Sequence, residues 1–99
     1  MTEHLSRQYD ADLEAIRSRV LQMGGLVEAQ ILAAIDAFAT GNVELSAQVT
    51  EGDRRVNSYE VEIDEACAHV VARRQPAAGD LRLIMAVSKI VTDLARTAD

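Results

Sequence analysis

The spacing of the apolar residues limits the folds open to this chain more than any other feature. Three runs of apolar residues recur at intervals of mostly three and four, and this pattern predicts three amphipathic helices over about 4–39, 42–74 and 77–99. Thr40-Gly41-Asn42 separates the first two runs with a helix-ending glycine and an Asn N-cap, and Gln75-Pro76 separates the last two. Such short connections make consecutive helices antiparallel. We therefore predict an all-α, antiparallel three-helix bundle forming one domain over residues 1–99.

The positions within each run predict which residues form the core. The stripe of the first helix is Leu5, Tyr9, Leu13, Ile16, Val20, Met23, Val27, Ile31 and Phe38. That of the second is Leu45, Val49, Gly52, Val56, Tyr59, Ile63, Ala66 and Val70, and the third carries Leu83, Val87, Ile90 and Leu94 beside Ile84, Ser88 and Val91. Gly24-Gly25 in the middle of the first helix predicts the close approach of another helix backbone or a local bend, rather than a ligand contact.

Charge and cysteine content exclude several classes of function. The 99 residues include 16 acidic and 10 basic side chains, giving a net charge of −6, which argues against nucleic-acid binding. The N-terminus has no signal-peptide pattern and no run approaches the roughly 20 apolar residues of a membrane span, so we expect a cytoplasmic protein that meets membranes only through its partners. The one cysteine, Cys67, lies in an apolar part of the second helix and is predicted to be a core residue.

Four segments together resemble one known family. They are Gln22-Met23-Gly24-Gly25-Leu26-Val27-Glu28, Glu51-Gly52-Asp53-Arg54-Arg55-Val56-Asn57, Ile63-Asp64-Glu65-Ala66-Cys67, and the hairpin from Ala72 through Arg73-Arg74-Gln75-Pro76 to Met85. The combination is similar to the PhoU family of phosphate-transport accessory and regulatory proteins. The resemblance implies a regulator, not an enzyme. It would act by binding a sensor histidine kinase and components of a phosphate ABC transporter, holding the phosphate-starvation response off.

The resemblance also implies a larger architecture. Proteins of this family usually contain two tandem three-helix repeats, so the chain corresponds to a first repeat with a shortened third helix and no second repeat. An apolar surface that a second repeat would cover is expected to self-associate, and we predict a homodimer.

A metal site is the first alternative function. A tight hairpin at residues 75–77 pairs residues of the second and third helices whose numbers add to about 152, so Asp53 should lie near Asp99 and Asn57 near Ala95. Some PhoU proteins bind metals through acidic-x-x-x-Asp motifs on these helices. The corresponding ligands here are Asp53, Asn57 and Asp99, for iron, zinc or another divalent ion. Ala95 stands where the family motif has glutamate, so that no cofactor is certain.

The partner-binding residues are predicted from charge alone. Arg73, Arg74 and Arg82 around the second turn form a concentration of positive charge, and we expect them to be exposed and to contact the partner. Glu65-x-x-x-His69 differs from the Glu-x-x-His spacing of di-iron bundles, and Cys67 lacks a catalytic setting, so no catalytic residue is predicted. A further alternative is a truncated remnant that dimerises without regulating anything.

Overall fold

The architecture is an all-α three-helix bundle, as the apolar spacing predicts. A computed structural model describes the backbone of residues 2–41 and 43–98, and the side chains of 7–41, 44 and 47–97. The helices are α1 (Thr2–Thr40), α2 (Val43–Arg74) and α3 (Ala78–Ala98). The molecule measures 58 × 20 × 15 Å, an elongated shape set by the longest helix. The predicted Asn42 cap and the ligand Asp99 lie outside the described residues.

Two turns reverse the chain. At the first turn Gly41 has φ 65°, and its N–H donates to the carbonyl of Ala37 at 2.9 Å, a left-handed helix end that glycine adopts without steric cost. At the second turn Gln75 has φ 46°, directly after the last residue of α2, and Pro76 follows. The N–H of Leu81 donates to the carbonyl of Ala77 at 2.8 Å, which begins the hydrogen bonding of α3.

The core lies between all three helices. Met23, Ile63 and Val91, one from each helix, have no exposed surface at all. The other members of the cluster are Ile16, Val27, Val56, Cys67, Val70, Ile84 and Ala95. Burial of Cys67 confirms its prediction as a core residue. On α3 the row of Ile84, Val91 and Ala95 faces the core, whereas Leu83 and Ile90 are exposed.

The far half of α1 differs from the predicted stripe. Ile31 is 38% exposed and Phe38 is 93% exposed, whereas Gln30 and Ala37 are buried. These buried positions precede the predicted ones by one residue, a rotation of about 100° around the helix. Gln30 and Ala37 continue the buried line of Ile16 and Met23 at intervals of seven residues, so the same face of α1 is turned inward along its length. Ile31 and Phe38 lie to one side of this line on the far half of α1, which the shorter α3 does not cover.

The close approach predicted at Gly24-Gly25 is also not found within this molecule. A Cβ atom built on either glycine would meet nothing within 4 Å. No other helix of the bundle therefore packs closely against Gly24 or Gly25. Each glycine nevertheless costs the helix about 1 kcal/mol relative to alanine. The fold therefore does not require these two glycines.

Candidate functional site

The candidate site is the α2–α3 turn, where the sequence concentrates positive charge. Arg73 and Arg74 occupy the last turn of α2, where cations complement the helix dipole. Asp80 lies in the first turn of α3, where a negative charge complements the dipole of that helix. Arg73 and Arg82 are both exposed, one on either side of the turn.

Arg74 differs from the prediction that all three arginines are exposed. Its Nε donates to Asp12 Oδ2 on α1 at 3.1 Å, and each side chain is only 20% exposed. The contact joins the C-terminal end of α2 to the N-terminal part of α1. Arg74 thus has a structural role that Arg73 and Arg82 do not share, and only the latter two are open to a partner.

The same ion pair sets the ionisation of Asp12. Partial burial alone would raise the pKa of Asp12, but hydrogen bonds from Arg74 and Gln8 outweigh it, with help from the charges of Arg74 and His69. The net result is a pKa below the ordinary value of 3.8. The charged form of Asp12 is therefore favoured in the folded protein.

This lowered pKa predicts a loss of stability in acid. Because the folded-state pKa of Asp12 is depressed, its contribution is fully present above the ordinary value and disappears as the pH falls through the folded value. We expect Asp12→Asn to lower the free energy of unfolding by about 1 kcal/mol at neutral pH. The deficit should shrink as the pH falls below the ordinary value and through the lowered folded-state pKa of Asp12. Urea unfolding of the unmodified protein and of Asp12→Asn at a series of acidic to neutral pH values measures this difference in the free energy of unfolding. A difference that does not change with pH would contradict the lowered pKa of Asp12.

A second polar contact joins α1 to α2 at the far end of the bundle. Gln30 is 6% exposed, and its Nε2 donates to the carbonyl of Val49 at 2.7 Å and to Asp53 Oδ1 at 3.0 Å. A Cβ on Gly52 would overlap the amide group of Gln30. Gly52 therefore provides the space in which this buried amide sits against α2.

This contact bears on the predicted metal ligands. Asp53 is half-buried and accepts the hydrogen bond from α1, so one of its carboxylate oxygens is already engaged. Asn57 is exposed, Ala95 is buried in the core, and Asp99 lies outside the described residues. Over the described part of the chain, no three His, Cys, Asp or Glu side chains are grouped to hold a metal ion. Metal binding by Asp53, Asn57 and Asp99 stays a prediction.

The predicted pairing of α2 with α3 is confirmed by one contact. Ser88 Oγ donates to Asp64 Oδ1 at 3.0 Å, and these residue numbers add to the expected 152. His69 is exposed.

A groove between α1 and α3 was not predicted from the sequence. It has a volume of about 250 Å³, and its walls are mainly apolar. The lining residues are Tyr9, Leu13, Ile16, Arg17, Val20 and Leu21 of α1, Cys67 of α2, and Asp80, Leu83, Ile84 and Val87 of α3. We call this the α1/α3 groove. The exposure of Leu83 and Leu21, 66% and 60%, shows that its edges are uncovered.

Two ionisable groups in the groove are perturbed. Burial, and then the nearby Asp80 carboxylate, raise the pKa of Tyr9, whose buried hydroxyl has no well-aligned hydrogen-bond partner among the described residues. Burial, and then the charge of Asp64, raise the pKa of the Cys67 thiol. A buried thiol with a raised pKa is a poor nucleophile, which agrees with its place in the core.

One helix meets the length and composition of a membrane span. Arg7–Thr40 of α1 is long and apolar enough, contrary to the expectation that no segment would qualify. This is weak evidence, because core helices of soluble proteins pass the same test. Here Met23 and Val27 of this helix belong to the core of the bundle.

Fold and site together define a three-helix bundle with exposed arginines at one turn and an apolar groove between α1 and α3. The PhoU domain model matches residues 20–99. Over all 99 residues the chain is 50% identical to the phosphate-specific transport system accessory protein PhoU of Serratia marcescens and 48% identical to that of Escherichia coli K12. It spans 41% of the length of each of these relatives. The crystal structure of PhoU from Pseudomonas aeruginosa superposes with a TM-score of 0.88 at 49% identity, over 92% of this chain and 44% of that one. The chain belongs to the PhoU domain family.

Proposed function

We propose that this chain regulates phosphate uptake and represses the phosphate-starvation response by binding other proteins. The observation that carries the proposal is 50% identity over all 99 residues to a protein named for the phosphate-specific transport system. The proposed partners are a sensor histidine kinase and components of a phosphate ABC transporter. The proposed site of action is the cytoplasmic face of the membrane, reached through these partners.

The exposed charges at the α2–α3 turn are the proposed contact. Arg73 and Arg82 extend into solvent from two helix ends that the hairpin holds together. Their positive charge stands out on a chain of net charge −6, so it would orient the bundle on an acidic partner surface. Arg74 fixes the end of α2 by its contact with Asp12 and thereby positions Arg73.

A charge-reversal experiment tests this contact. We expect Arg73→Glu with Arg82→Glu to weaken binding by about tenfold or more, because the variant replaces attraction with repulsion at the interface. The measurement is a titration of the purified protein against the cytoplasmic part of the sensor kinase, and separately against the transporter ATPase. Circular dichroism verifies that the variant is folded.

The matched control reverses two other charges. Arg54 and Arg55 lie exposed in the middle of α2, and Arg54→Glu with Arg55→Glu changes the net charge equally. Weaker partner binding by the Arg73→Glu, Arg82→Glu variant, with unchanged binding by the Arg54→Glu, Arg55→Glu variant, supports the proposed contact. Equal affinities for the turn variant and the unmodified chain would reject it.

A further inference from the structure

The α1/α3 groove is an apolar space that the proposed contact at the α2–α3 turn does not use. Its floor is made of core side chains, with Ile16 and Ile84 each only 5% exposed. Its volume of about 250 Å³ corresponds to roughly eight non-hydrogen atoms, if each takes the 30 Å³ that one water occupies in the liquid. Water finds few hydrogen-bond partners in a space walled mainly by carbon. The size and the walls therefore suit a small molecule with an apolar body.

One end of the groove carries a negative charge. Asp80 lies there, exposed, in the first turn of α3, and Tyr9 of α1 lines the same groove. The two residues are close together, because burial and then the Asp80 carboxylate raise the pKa of Tyr9. Asp80 makes no ion pair with any residue that the structure describes. This end of the groove therefore attracts a cation.

Tyr9 presents its aromatic ring to the groove. Its hydroxyl is covered by the protein and has no well-aligned hydrogen-bond partner among the described residues, so the ring is the part that a ligand can meet. A cation beside an aromatic face is attracted by the negative face of the ring. The basic residue of the groove wall is Arg17, about two helical turns further along α1. Its charge is balanced by Glu14 at 3.1 Å, so it repels a cation near Tyr9 only weakly.

We propose that the α1/α3 groove binds a small amphiphilic amine. The apolar body of the ligand, an aryl or alkyl group of about eight carbons, lies on the floor of the groove. Its ammonium group lies between the Asp80 carboxylate and the Tyr9 ring. The site is separate from the contact proposed at Arg73 and Arg82, so the inference goes beyond the proposed regulatory function and does not rest on it.

The test is isothermal titration calorimetry of the purified chain with probes of nearly the same shape and different charge. The probes are phenethylamine, which is protonated at neutral pH, phenethyl alcohol and phenylacetate. We expect a dissociation constant for phenethylamine on the order of 0.1–1 mM, because so small a ligand makes few contacts. The neutral alcohol should bind about fivefold more weakly and the anion more weakly still, since the exposed carboxylate and the aromatic ring each favour the cation modestly.

Two variants identify the groups that hold the ammonium. Asp80→Asn removes the charge at nearly constant shape, and Tyr9→Leu removes the ring and keeps an apolar wall. Each should lower the affinity for phenethylamine by about threefold or more and change the affinity for phenethyl alcohol less. A merely structural effect of either substitution would weaken both probes equally and leave the ratio of their affinities unchanged. Circular dichroism verifies that each variant is folded.

Asp93→Asn is the matched control. Asp93 is exposed on the same helix and does not line the groove, and its substitution removes the same charge, so phenethylamine should bind this variant as tightly as the unmodified chain. Absence of saturable binding up to about 10 mM overturns the proposal. So do equal affinities for the amine and the alcohol, or an equal loss in Asp80→Asn and Asp93→Asn. An affinity that falls as the protein concentration rises would assign the groove to another copy of the chain and reject the amine.

Discussion

Gly52→Ala should lower the free energy of unfolding by about 2 kcal/mol, although alanine is the better helix former. Helix propensity alone favours the substitution by about 1 kcal/mol. Against this, the new Cβ would occupy the space of the Gln30 amide, which is buried and donates to Val49 and Asp53. Displacing that amide breaks both hydrogen bonds, and a buried polar group left without partners costs about 1–3 kcal/mol. Urea unfolding at low protein concentration measures the net effect.

A matched glycine and a double mutant isolate the cause. Gly25 is exposed and a Cβ there meets nothing, so Gly25→Ala should stabilise the monomer by about 0.5–1 kcal/mol. In the Gln30→Ala background the clash is gone, and adding Gly52→Ala should cost little. The coupling energy of the pair is then about 2–3 kcal/mol. Additive effects of the two substitutions would show that Gly52 does not act by making space for Gln30.

Ile63→Ala should lower the free energy of unfolding by about 3 kcal/mol. Ile63 has no exposed surface and lies in the middle of α2, in the cluster that α1 and α3 complete. Removing its side chain loses the transfer free energy of the buried carbons and leaves a cavity that long helices can only partly close.

Ile90→Ala is the control for that substitution. It removes the same atoms from a side chain that is 52% exposed, and the expected cost is below about 1 kcal/mol. Thermal or urea unfolding of both variants gives the comparison. Similar losses in the two proteins would mean that the row of Ile84, Val91 and Ala95 is not the core-facing row of α3.

The helices and their pairing could be predicted because local rules determine them. Apolar spacing and the signals at Gly41 and Pro76 predict where the helices lie, and a tight hairpin fixes the register that Ser88 and Asp64 confirm. The buried side chains of α2 also follow the apolar spacing of its sequence, since other helices pack against α2 along most of its length. Val56, Ile63 and Val70 are all buried as expected.

The burial along α1 was predicted incorrectly because the search followed apolar residues only. The buried line of Ile16 and Met23 continues at intervals of seven to Gln30 and Ala37, whereas Ile31 and Phe38 lie beside it on a part of α1 that the shorter α3 leaves exposed. The sequence around Gln30 does not show that its side chain is buried, because the space for its amide is provided by Gly52 on the neighbouring helix. In the same way, the sequence predicts Arg74 as a surface charge, because its contact with Asp12 depends on how α1 packs against α2.

The candidate site was predicted in part. The position of the exposed Arg73 and Arg82 follows from their places beside the turn, because helix ends at a tight hairpin are held close together. The α1/α3 groove was missed, since it arises from the lateral separation of two helices distant in sequence. The only available signal was the excess of apolar residues on α3, whose Leu83 lines the groove.

The measurement that most directly tests the central claim is made in cells. The chain is expressed in a bacterium lacking its own PhoU, and a phosphate-starvation reporter is followed in phosphate-rich medium. The account predicts repression by the unmodified chain and by the Arg54→Glu, Arg55→Glu control, and loss of repression with Arg73→Glu, Arg82→Glu. A reporter that stays fully active while the unmodified chain is present and folded would contradict the claim that these 99 residues carry the regulatory contact.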